Sequence, residues 1–554
     1  MKLARIGPRL LGCGVLLAAV ALTAAGGSAR RAAVGAGGSP LVAHPLMAKS
    51  LVAPEPTSAC LATLGIHCYS PGQFANAYRL GELNAAGVDG SGETIAIVDS
   101  FGSPTIANDL HQFDQTFGQA NAFGVPPDPA ILQDPNLQII QPAGAVPPYD
   151  QTNSDMVGWA EETTLDVEWA HVMAPSANIL LVETPTSETE GTAGFPEIVA
   201  AENYVIKHHL ADVITQSFGA TENTFPSTKS LLDLRSAYIN AQRNHITVLG
   251  SSGDTGSTDY ELNLEDLYPM QVNSWPSSDP LVTSVGGTQI DLDDSGTRLS
   301  PDVVWNDGYG AGGGGPSHVF GRPSFQNRVR SIVGRHRGTP DISFNAAVDG
   351  GVWVYYTFGG AAPGYHIFGG TSAASPEFSG VVAMADQIAG TSLGDINNAL
   401  YSIPYGGGLV DVTSGNNDIG PFTNSDGNTY HVPGFDALPG YDMASGLGTV
   451  DPARFVAALA NGAGPPSRHS WRHGDVRCTG SMSFASILGD VSVPRGAHCT
   501  LTDSVVRDDA QVDGSLTLDG STIGHDVHLG RSGSFTQNPD SGGEPSIVEG
   551  RVRH

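Results

Sequence analysis

The chain has 554 residues and carries 26 basic against 56 acidic side chains, a formal net charge of −30 at neutral pH. This excess of negative charge argues against nucleic acids and anionic membranes as partners, although it leaves the fold open. Few bases beside many carboxylates would suit a protein that works in acid, where carboxylates lose their charge and repel one another less.

The first 29 residues have the pattern of a secretory signal peptide. Lys2, Arg5 and Arg9 precede the apolar run LLGCGVLLAAVALTAA, and small residues follow it. The run is too short and too early for a membrane anchor. Most of it also follows Cys13, whereas a lipoprotein signal has its apolar run before the cysteine. The sequence therefore predicts a secreted protein without a membrane anchor.

Removal of the signal leaves four cysteines in two pairs that are close in sequence, Cys60 with Cys68 and Cys478 with Cys499. An even number of cysteines in an exported chain favours disulfides. A metal site is less favoured, because no C-x-x-C motif occurs.

Residues 30–67 are interpreted as a leader or short pro-segment, and the Ala, Gly and Pro content of residues 30–55 predicts flexibility. Residues 68–460 are interpreted as one main domain, because short apolar runs alternate there with helical stretches. The predicted strands are 93–100, 177–184, 211–219 and 245–253, and predicted helices include 161–173 and 230–244.

This alternation predicts an α/β fold, in which a parallel sheet is covered by helices on both faces. Functional residues of such sheets gather at the carboxyl ends of the strands. Asp99, Asp254 and the turn at 369–372 all fall at or just after such ends.

Two carboxylates lie four residues apart in EETTLDVEW, so Glu162 and Asp166 share one face of the predicted helix. A solvated acidic helix face would explain an isolated pair of this kind. The neighbouring Leu165, Val167 and Trp169 favour a partly buried pair instead, which would share a proton and titrate as a unit. One carboxylate could then act as a general base in acid.

Asp254 follows a predicted strand, in the stretch GSSGDTGS. DTGS matches the aspartic-peptidase signature, but that architecture needs a second such element in a similar lobe and an all-β body. The other D-S-G sequences, at Asp294 and Asp540, are unsuitably placed. A protonated Asp254 could instead donate a hydrogen bond to an oxyanion.

Ser372 lies in FGGTSAASPEF, before a run with helical apolar spacing. It could be only a helix N-cap, and Pro376 would then fit the first helical turn. A serine at a helix N-terminus would also suit attack on a carbonyl, because the terminus favours negative charge. The motif is not the G-x-S-x-G elbow, since Ala374 replaces the second glycine.

A histidine base for Ser372 is not evident. A subtilisin-like order would use Asp99, a histidine and then Ser372, but no HGTH-like element follows Asp99. His111 and His171 lack small neighbours and are interpreted as ordinary solvated or packed histidines.

The composition changes again at 461–471, which is interpreted as a linker. Residues 472–554 contain no helical run and alternate apolar and polar residues between frequent turn signals. This pattern predicts a small C-terminal all-β domain without a catalytic constellation, and a solenoid of stacked coils is one interpretation of it.

With these residues in this order, the main domain resembles the sedolisins, serine-carboxyl peptidases with a subtilisin-like fold. The resemblance covers roughly residues 68–460 and is carried by the stretches ETTLDVEWAHVMAPSANI, VLGSSGDTGS, GGGGPSHVFGRPSFQ, GTPDISFNA, GGTSAASPEFSG, LVDVTSGNN and GYDMASGLGTVDP. It implies that Ser372 is the nucleophile, Glu162 the base, Asp166 its orienting partner and Asp254 the oxyanion donor. It also implies that the glycine run 311–315 borders the substrate groove.

The resemblance further implies a Ca²⁺ site near the end of the main domain. Its ligands would be Asp411, Asp442 and the carbonyls of Val412, Leu438 and Gly440. Oxygen ligands with a few carboxylates suit Ca²⁺. The family usually has Gly where this chain has Leu438, and without the resemblance the two aspartates would be interpreted as turn residues.

Two functions of different class remain open on the sequence. The first is a secreted, acid-active endopeptidase that cleaves polypeptides and is expected to be a monomer. The second is a catalytically silent exported binding protein on a peptidase scaffold. All four catalytic positions hold the residues that the chemistry needs, which favours the peptidase. One departure from the family is the short stretch between the signal and the main domain, where sedolisins usually have a long folded propeptide.

Overall fold

The computed structural model describes residues 46–359, 364–405, 408–462 and most of 475–554, where positions 484–485, 488, 503, 507, 520, 539–545 and 549 are excepted. The predicted signal peptide, the leader up to residue 45 and the linker from residue 463 lie outside the described residues.

A largely parallel sheet forms the centre of the main domain. Its strands lie in the order Val303–Val304, Thr283–Gln289, Thr247–Ser251, Val213–Gln216, Thr94–Ser100, Asn178–Thr184 and Leu137–Ile140. Ile342–Asn345 also pairs with Thr283–Gln289 in parallel, and only Val303–Val304 pairs antiparallel within the described part of this sheet. The parallel α/β fold is thus confirmed, and the four predicted strands are all present.

Helices cover both faces of the sheet, as predicted. In the strand Thr94–Ser100, Ile95 and Ile97 pack into one hydrophobic core, whereas Ala96 and Val98 pack into the other. The first core includes side chains of the helices Ile106–Phe117, Ser154–Met173, Thr371–Ala389 and Pro452–Gly462. The second core includes side chains of the helices Phe195–Lys207 and Ser236–Asn244. This alternation follows from the two-residue period of a strand.

The predicted helix 230–244 is wrong in its continuity, because the chain forms two helices, Thr228–Leu232 and Ser236–Asn244. At the break, the Arg235 guanidinium makes two hydrogen bonds of 2.6 and 2.9 Å to the buried carboxylate of Asp279. This tertiary ion pair holds the chain at a point where the local apolar pattern alone would continue the helix.

Short elements connect the core. The other described helices are Thr57–Leu64, Pro71–Ala77, Leu80–Ala85, Arg330–Val333 and Asn397–Leu400, with 3₁₀ turns at Pro129–Ile131, Glu222–Thr224 and Ser324–Val329. Two-stranded ribbons pair Ala220–Thr221 with Ser274–Trp275, Gly315–Gly321 with His336–Thr339, Leu409–Val410 with Thr449–Val450, and Ile419–Thr423 with Thr429–Val432. None of the helices in the described ranges has the length and apolar character needed to cross a membrane.

A second sheet includes part of the leader. Residues Leu46–Leu51, here termed the leader strand, pair antiparallel with Gly364–Gly369, the strand that leads into the turn before Ser372. Gly351–Tyr356 and Cys68–Tyr69 complete this sheet. The end of the segment predicted to be flexible is therefore a strand, and backbone hydrogen bonds to a distant part of the chain stabilise it.

The C-terminal region forms a parallel β-solenoid. One of its three sheets stacks Val476–Arg477, Val491–Val493, Ala510–Val512, Val527–Leu529 and Val552–Arg553. The second sheet stacks Ser481–Ser483, His498–Thr502, Ser515–Asp519 and Ser534–Asn538. The third sheet stacks Ser486–Ile487, Val505–Val506, Thr522–Ile523 and Ile547–Val548. This arrangement agrees with the predicted stacked coils. Both expected disulfides, Cys60–Cys68 and Cys478–Cys499, are formed.

Candidate active site

Two long helices meet at the candidate site. We term Ser154–Met173 the carboxylate helix and Thr371–Ala389 the serine helix. They pack closely because residue 380 is a glycine, where an added Cβ would lie 2.5 Å from the Cβ of Met173. The contact brings the start of the serine helix beside the middle of the carboxylate helix.

Ser372 is the second residue of the serine helix and is 7% exposed. In this first turn, the N–H of Thr371 donates to Asp254 and the N–H of Ala373 donates to the carbonyl of Gly370. The N–H of Ser372 has no acceptor among the described residues, so it is available to a developing negative charge. The helix is preceded by Gly370, whose φ of 117° favours glycine. The expectation that Ser372 lies at a helix N-terminus is confirmed.

The expected place of Pro376 is wrong. The helix begins at Thr371, so Pro376 lies inside it rather than in its first turn. Because proline has no N–H, the helical hydrogen bond to the carbonyl of Ser372, four residues earlier, cannot form.

Glu162 and Asp166 lie on the carboxylate helix, and both side chains are fully buried. Burial raises the pKa of Glu162 well above its usual range, as do the charges of Asp99 and Asp254, while the Ser372 hydroxyl and the Asp166 carboxyl lower it in part. Burial also raises the pKa of Asp166, together with the charges of Asp99 and Glu162. The structure thus brings the predicted pair together in a buried setting, next to Ser372.

Asp99 is a third buried carboxylate at this place, at the carboxyl end of the strand Thr94–Ser100. Thr163 donates a hydrogen bond of 2.9 Å to its Oδ2. Burial raises the pKa of Asp99 to about 7, although the hydrogen bond from Thr163 lowers it. The sequence suggested Asp99 as a functional residue at a strand end and as the first member of a histidine triad, whereas the structure places it with two acidic residues.

Asp254 lies against the turn before the nucleophile. Its Oδ1 accepts hydrogen bonds from the backbone N–H of Thr371 at 2.7 Å and from the Thr371 hydroxyl at 2.8 Å. Its Oδ2 lies beside Gly370, 2.7 Å from where a Cβ of that residue would be. Burial raises the pKa of Asp254 to about 6. Since Oδ1 already accepts two hydrogen bonds, Oδ2 is the oxygen suited to carry the proton.

Besides Thr163, two hydroxyl residues of the site, Thr371 and Ser217, were not singled out from the sequence. Thr371 accepts a 3.1 Å hydrogen bond from the N–H of Gly253 in addition to its contacts with Asp254. Ser217 donates to Asp166 Oδ1 at 2.9 Å and lies 3.3 Å from the carbonyl oxygen of Ser372. The stretches GTSA and TQSFG contain them, but nothing in those patterns separates them from other hydroxyl residues.

The two histidines considered as bases have other neighbours. The exposed His111 lies 2.9 Å from Asp134. His171 is fully buried, 3.6 Å from Asp114, and burial lowers its pKa to about 4. Their interpretation as ordinary solvated and packed histidines agrees with these positions.

The glycine run 311–315 lies beside the segment that holds Asp254. Ala311 donates its N–H to the carbonyl of Asp254 at 3.0 Å, and Gly313 donates to the carbonyl of Gly253 at 2.7 Å. A Cβ on Gly313 would lie 2.0 Å from the carbonyl oxygen of Ser252. The glycines therefore let two backbone segments approach closely next to the candidate oxyanion donor.

The residues predicted to bind Ca²⁺ come together at a separate place. Asp411 Oδ2 accepts a hydrogen bond from the N–H of Gly440, and Asp442 Oδ2 accepts one from Leu438, both at 2.9 Å. Asp411 Oδ1 is buried and has no hydrogen-bond partner among the described residues. That oxygen fits a cation ligand. No cluster of three or more His, Cys, Asp or Glu side chains suited to a metal occurs in the described ranges, so carbonyl oxygens such as that of Val412 would have to complete a site.

Comparison with known proteins agrees with this geometry. Residues 153–394 match the subtilase family. Kumamolisin from Bacillus sp. (strain MN-32) is 31% identical over 407 residues, 71% of this chain and 63% of kumamolisin. Sedolisin from Pseudomonas sp. (strain 101) is 29% identical over 433 residues, 76% of this chain and 66% of sedolisin. The chain thus spans just under two thirds of the length of these curated relatives.

The fold of this chain also resembles that of a protein of known structure. It is that of Pseudomonas sedolisin, a serine-carboxyl proteinase, in complex with two molecules of pseudo-iodotyrostatin. The TM-score is 0.56 at 28% identity, over 72% of this chain and 99% of that one. The fold is shared with sedolisin, and the sequence is similar over most of the main domain. The structure also brings together Glu162, Asp166, Asp254 and Ser372. We conclude that this chain belongs to the sedolisin family.

Proposed function

We propose that this protein is a secreted, acid-active serine-carboxyl peptidase that hydrolyses peptide bonds of polypeptides through an acyl-enzyme on Ser372. The observation that carries the proposal is the position of Ser372 at a helix N-terminus, between the buried carboxyl of Glu162 and the carboxyl of Asp254. An acceptor for the serine proton and a donor for the oxyanion are thus both next to the nucleophile.

In the acylation step, Glu162 in its ionised form accepts the hydroxyl proton of Ser372 while Oγ attacks the substrate carbonyl carbon. The carbonyl oxygen becomes an oxyanion, which is stabilised by the N–H of Ser372 and by a proton on Asp254 Oδ2. The C–N bond then breaks, and the leaving amine takes the proton from Glu162. An acyl group is left on Ser372.

Deacylation repeats these steps with water. Glu162 accepts a proton from the water as its oxygen attacks the acyl carbon, and the same donors stabilise the second oxyanion. Collapse of this intermediate breaks the ester bond, and Ser372 recovers its proton from Glu162. Asp166 orients Glu162 and shares the charge of the pair.

The protonation states define the pH range. Glu162 must be ionised to accept a proton, whereas Asp254 must be protonated to donate one. The three carboxyls of Asp99, Glu162 and Asp166 repel one another when charged, so ionisation of one of them favours the protonated form of the other two. Because the pKa of Asp254 is raised to about 6, its donor is lost as the pH rises above that value.

We expect peptide hydrolysis in acid and little at neutral pH, with kcat falling about tenfold per pH unit above the pKa of Asp254. Turnover of a denatured protein substrate and of a quenched fluorescent peptide across pH 2–9 would measure this. A peptide aldehyde, which traps a reactive serine, should inhibit the acid activity. A rate maximum near pH 8, as a histidine base would give, would contradict the proposal.

Ca²⁺ is part of the proposal, with Asp411, Asp442 and the carbonyls of Val412, Leu438 and Gly440 as its ligands. A bound Ca²⁺ would neutralise the two carboxylates and hold together the segments that carry them. The buried, unpartnered Asp411 Oδ1 supports this assignment.

Removal of Ca²⁺ is expected to lower the melting temperature by several degrees, because a ligand of the native state alone stabilises by mass action, by about 2.7 kcal/mol at 100 times its Kd. Differential scanning fluorimetry with EDTA, then with Ca²⁺ restored, would measure the shift. Asp411→Asn should abolish the response, whereas Asp426→Asn, at an exposed turn, should keep it. No bound calcium by metal analysis, with no effect of EDTA, would refute the site.

A further inference from the structure

We propose that Ser217 is a positioning residue of this site, which links the Asp166 carboxyl to the backbone of the nucleophile. The inference rests on the proposed peptidase function and adds a residue to its machinery. Ser217 follows the central strand Val213–Gln216 and is only 2% exposed. Its Oγ lies 2.9 Å from Asp166 Oδ1 and 3.3 Å from the carbonyl oxygen of Ser372.

The carbonyl of Ser372 lacks its ordinary partner. In an α-helix, this carbonyl would accept a hydrogen bond from the N–H of the residue four positions later, which is Pro376. Proline has no N–H, so this acceptor is left open inside the fold. The Ser217 hydroxyl is the donor that reaches it from outside the helix.

Asp166 depends on the same hydroxyl. Its Oδ1 accepts the hydrogen bond from Ser217, whereas its Oδ2 has no hydrogen-bond partner in the described part of the chain. Asp99 faces Asp166 from the central sheet, and Glu162 faces it from the same helix, while Asp254 acts on Glu162. Ser217 is therefore the neutral donor to Asp166, as Thr163 is to Asp99.

A serine hydroxyl has one proton and can accept another hydrogen bond. When Asp166 is ionised, Ser217 donates to it and leaves the Ser372 carbonyl. When Asp166 is protonated, it can donate to Ser217, and the Ser217 proton turns to the Ser372 carbonyl. The hydroxyl thus couples the protonation state of Asp166 to the start of the serine helix without any net proton transfer.

A neighbouring contact provides a matched control. Thr215, on the same strand, shares a buried hydrogen bond of 2.8 Å with Ser375 of the serine helix. Thr215→Val removes a buried hydroxyl contact between the same two elements, but that hydroxyl contacts no carboxylate in the described structure. Thr215→Val should therefore lower stability while leaving the pH profile in place.

The test compares the full chain with Ser217→Ala, Ser217→Thr and Thr215→Val, using kcat and KM for a quenched peptide against pH and the melting temperature. Ser217→Ala should lower kcat roughly tenfold to a hundredfold with little change in KM, as expected for a misplaced catalytic group. Its acid limb should move to higher pH, because loss of the donor raises the pKa of Asp166. Ser217→Thr, which keeps a hydroxyl, should recover part of the rate.

Unchanged kcat and an unchanged acid limb in Ser217→Ala would overturn the inference, as would equal kinetic losses in Thr215→Val. If the wild type itself failed to hydrolyse peptides, the proposed function would fail separately. The Ser217 contact would still be tested by NMR titration of ¹³C-labelled aspartate carboxyls, with the Asp166 signal assigned from Asp166→Asn. An Asp166 pKa that is higher in Ser217→Ala than in Thr215→Val supports the inference, and equal values overturn it.

Discussion

Ser372→Ala and Glu162→Gln are each expected to lower kcat by about 10⁴-fold or more, because nucleophile and base act as one unit. Ser372→Ala removes the atom that forms the acyl-enzyme. Glu162→Gln keeps the size of the side chain but cannot accept the serine proton, and it also removes a charge from the buried carboxylate group. Stopped assays at the pH optimum, with active-site labelling by a peptide aldehyde, would measure both losses.

The matched control for Glu162→Gln is Glu168→Gln on the same helix. Glu168 is also fully buried, but it accepts a 3.1 Å hydrogen bond from the N–H of Tyr355. Its replacement should change the melting temperature more than kcat. If Glu162→Gln retained more than a tenth of the wild-type kcat, or if Glu162→Gln and Glu168→Gln lowered kcat equally, Glu162 would not be the base.

Asp254→Ala is expected to lower kcat roughly 10²–10³-fold, the usual loss when one oxyanion donor is removed. Asp254→Asn should lower kcat less. Its amide oxygen can still accept hydrogen bonds from Thr371, and its amide nitrogen can donate a hydrogen bond from the place of Oδ2 beside Gly370. The amide does not titrate, so the fall in kcat above pH 6 should move to higher pH in this variant. The acid limb should move little. Profiles of kcat against pH for the two variants would show this.

Asp259→Asn is a suitable control for Asp254. Asp259 lies five residues later and is half-buried, and its carboxylate accepts hydrogen bonds from Thr255 and Ser274. The charge of Asp259 raises the pKa of Asp254, so replacement of Asp259 should move the alkaline limb to lower pH, opposite to the shift expected for Asp254→Asn. Equal losses in Asp254→Ala and Asp254→Asn would contradict the role as a donor and would favour a structural role in the turn.

The sequence predicted the main strands and the general position of the site, because both depend on local patterns. Apolar runs such as 93–100 and 177–184 are buried strands, and polar residues at their ends collect at one edge of a parallel sheet. The pairing of Glu162 with Asp166 follows from helical periodicity alone. These features needed no knowledge of contacts between distant parts of the chain.

Features that depend on tertiary contacts were not predictable in the same way. The leader strand is stabilised by Gly364–Gly369, more than 300 residues away, and its own composition suggests flexibility. The start of the serine helix is set by Gly370 packed against Asp254, so Pro376 lies inside the helix and not in its first turn. Ser217 and Thr371 acquire their roles only where three separate segments meet.

The leader strand covers one edge of the strand Gly364–Gly369, which leads to Ser372. With this strand in place, Gly364–Gly369 is an interior strand, hydrogen-bonded on both sides. A chain cut between residues 51 and 57 would leave the leader strand as a separate peptide, held by backbone pairing and side-chain packing alone. Its departure would turn Gly364–Gly369 into an edge strand with unpaired N–H and C=O groups, only three residues from Ser372. Such a cut would therefore turn one chain into two, and loss of the shorter piece would expose main-chain hydrogen-bonding groups close to Ser372.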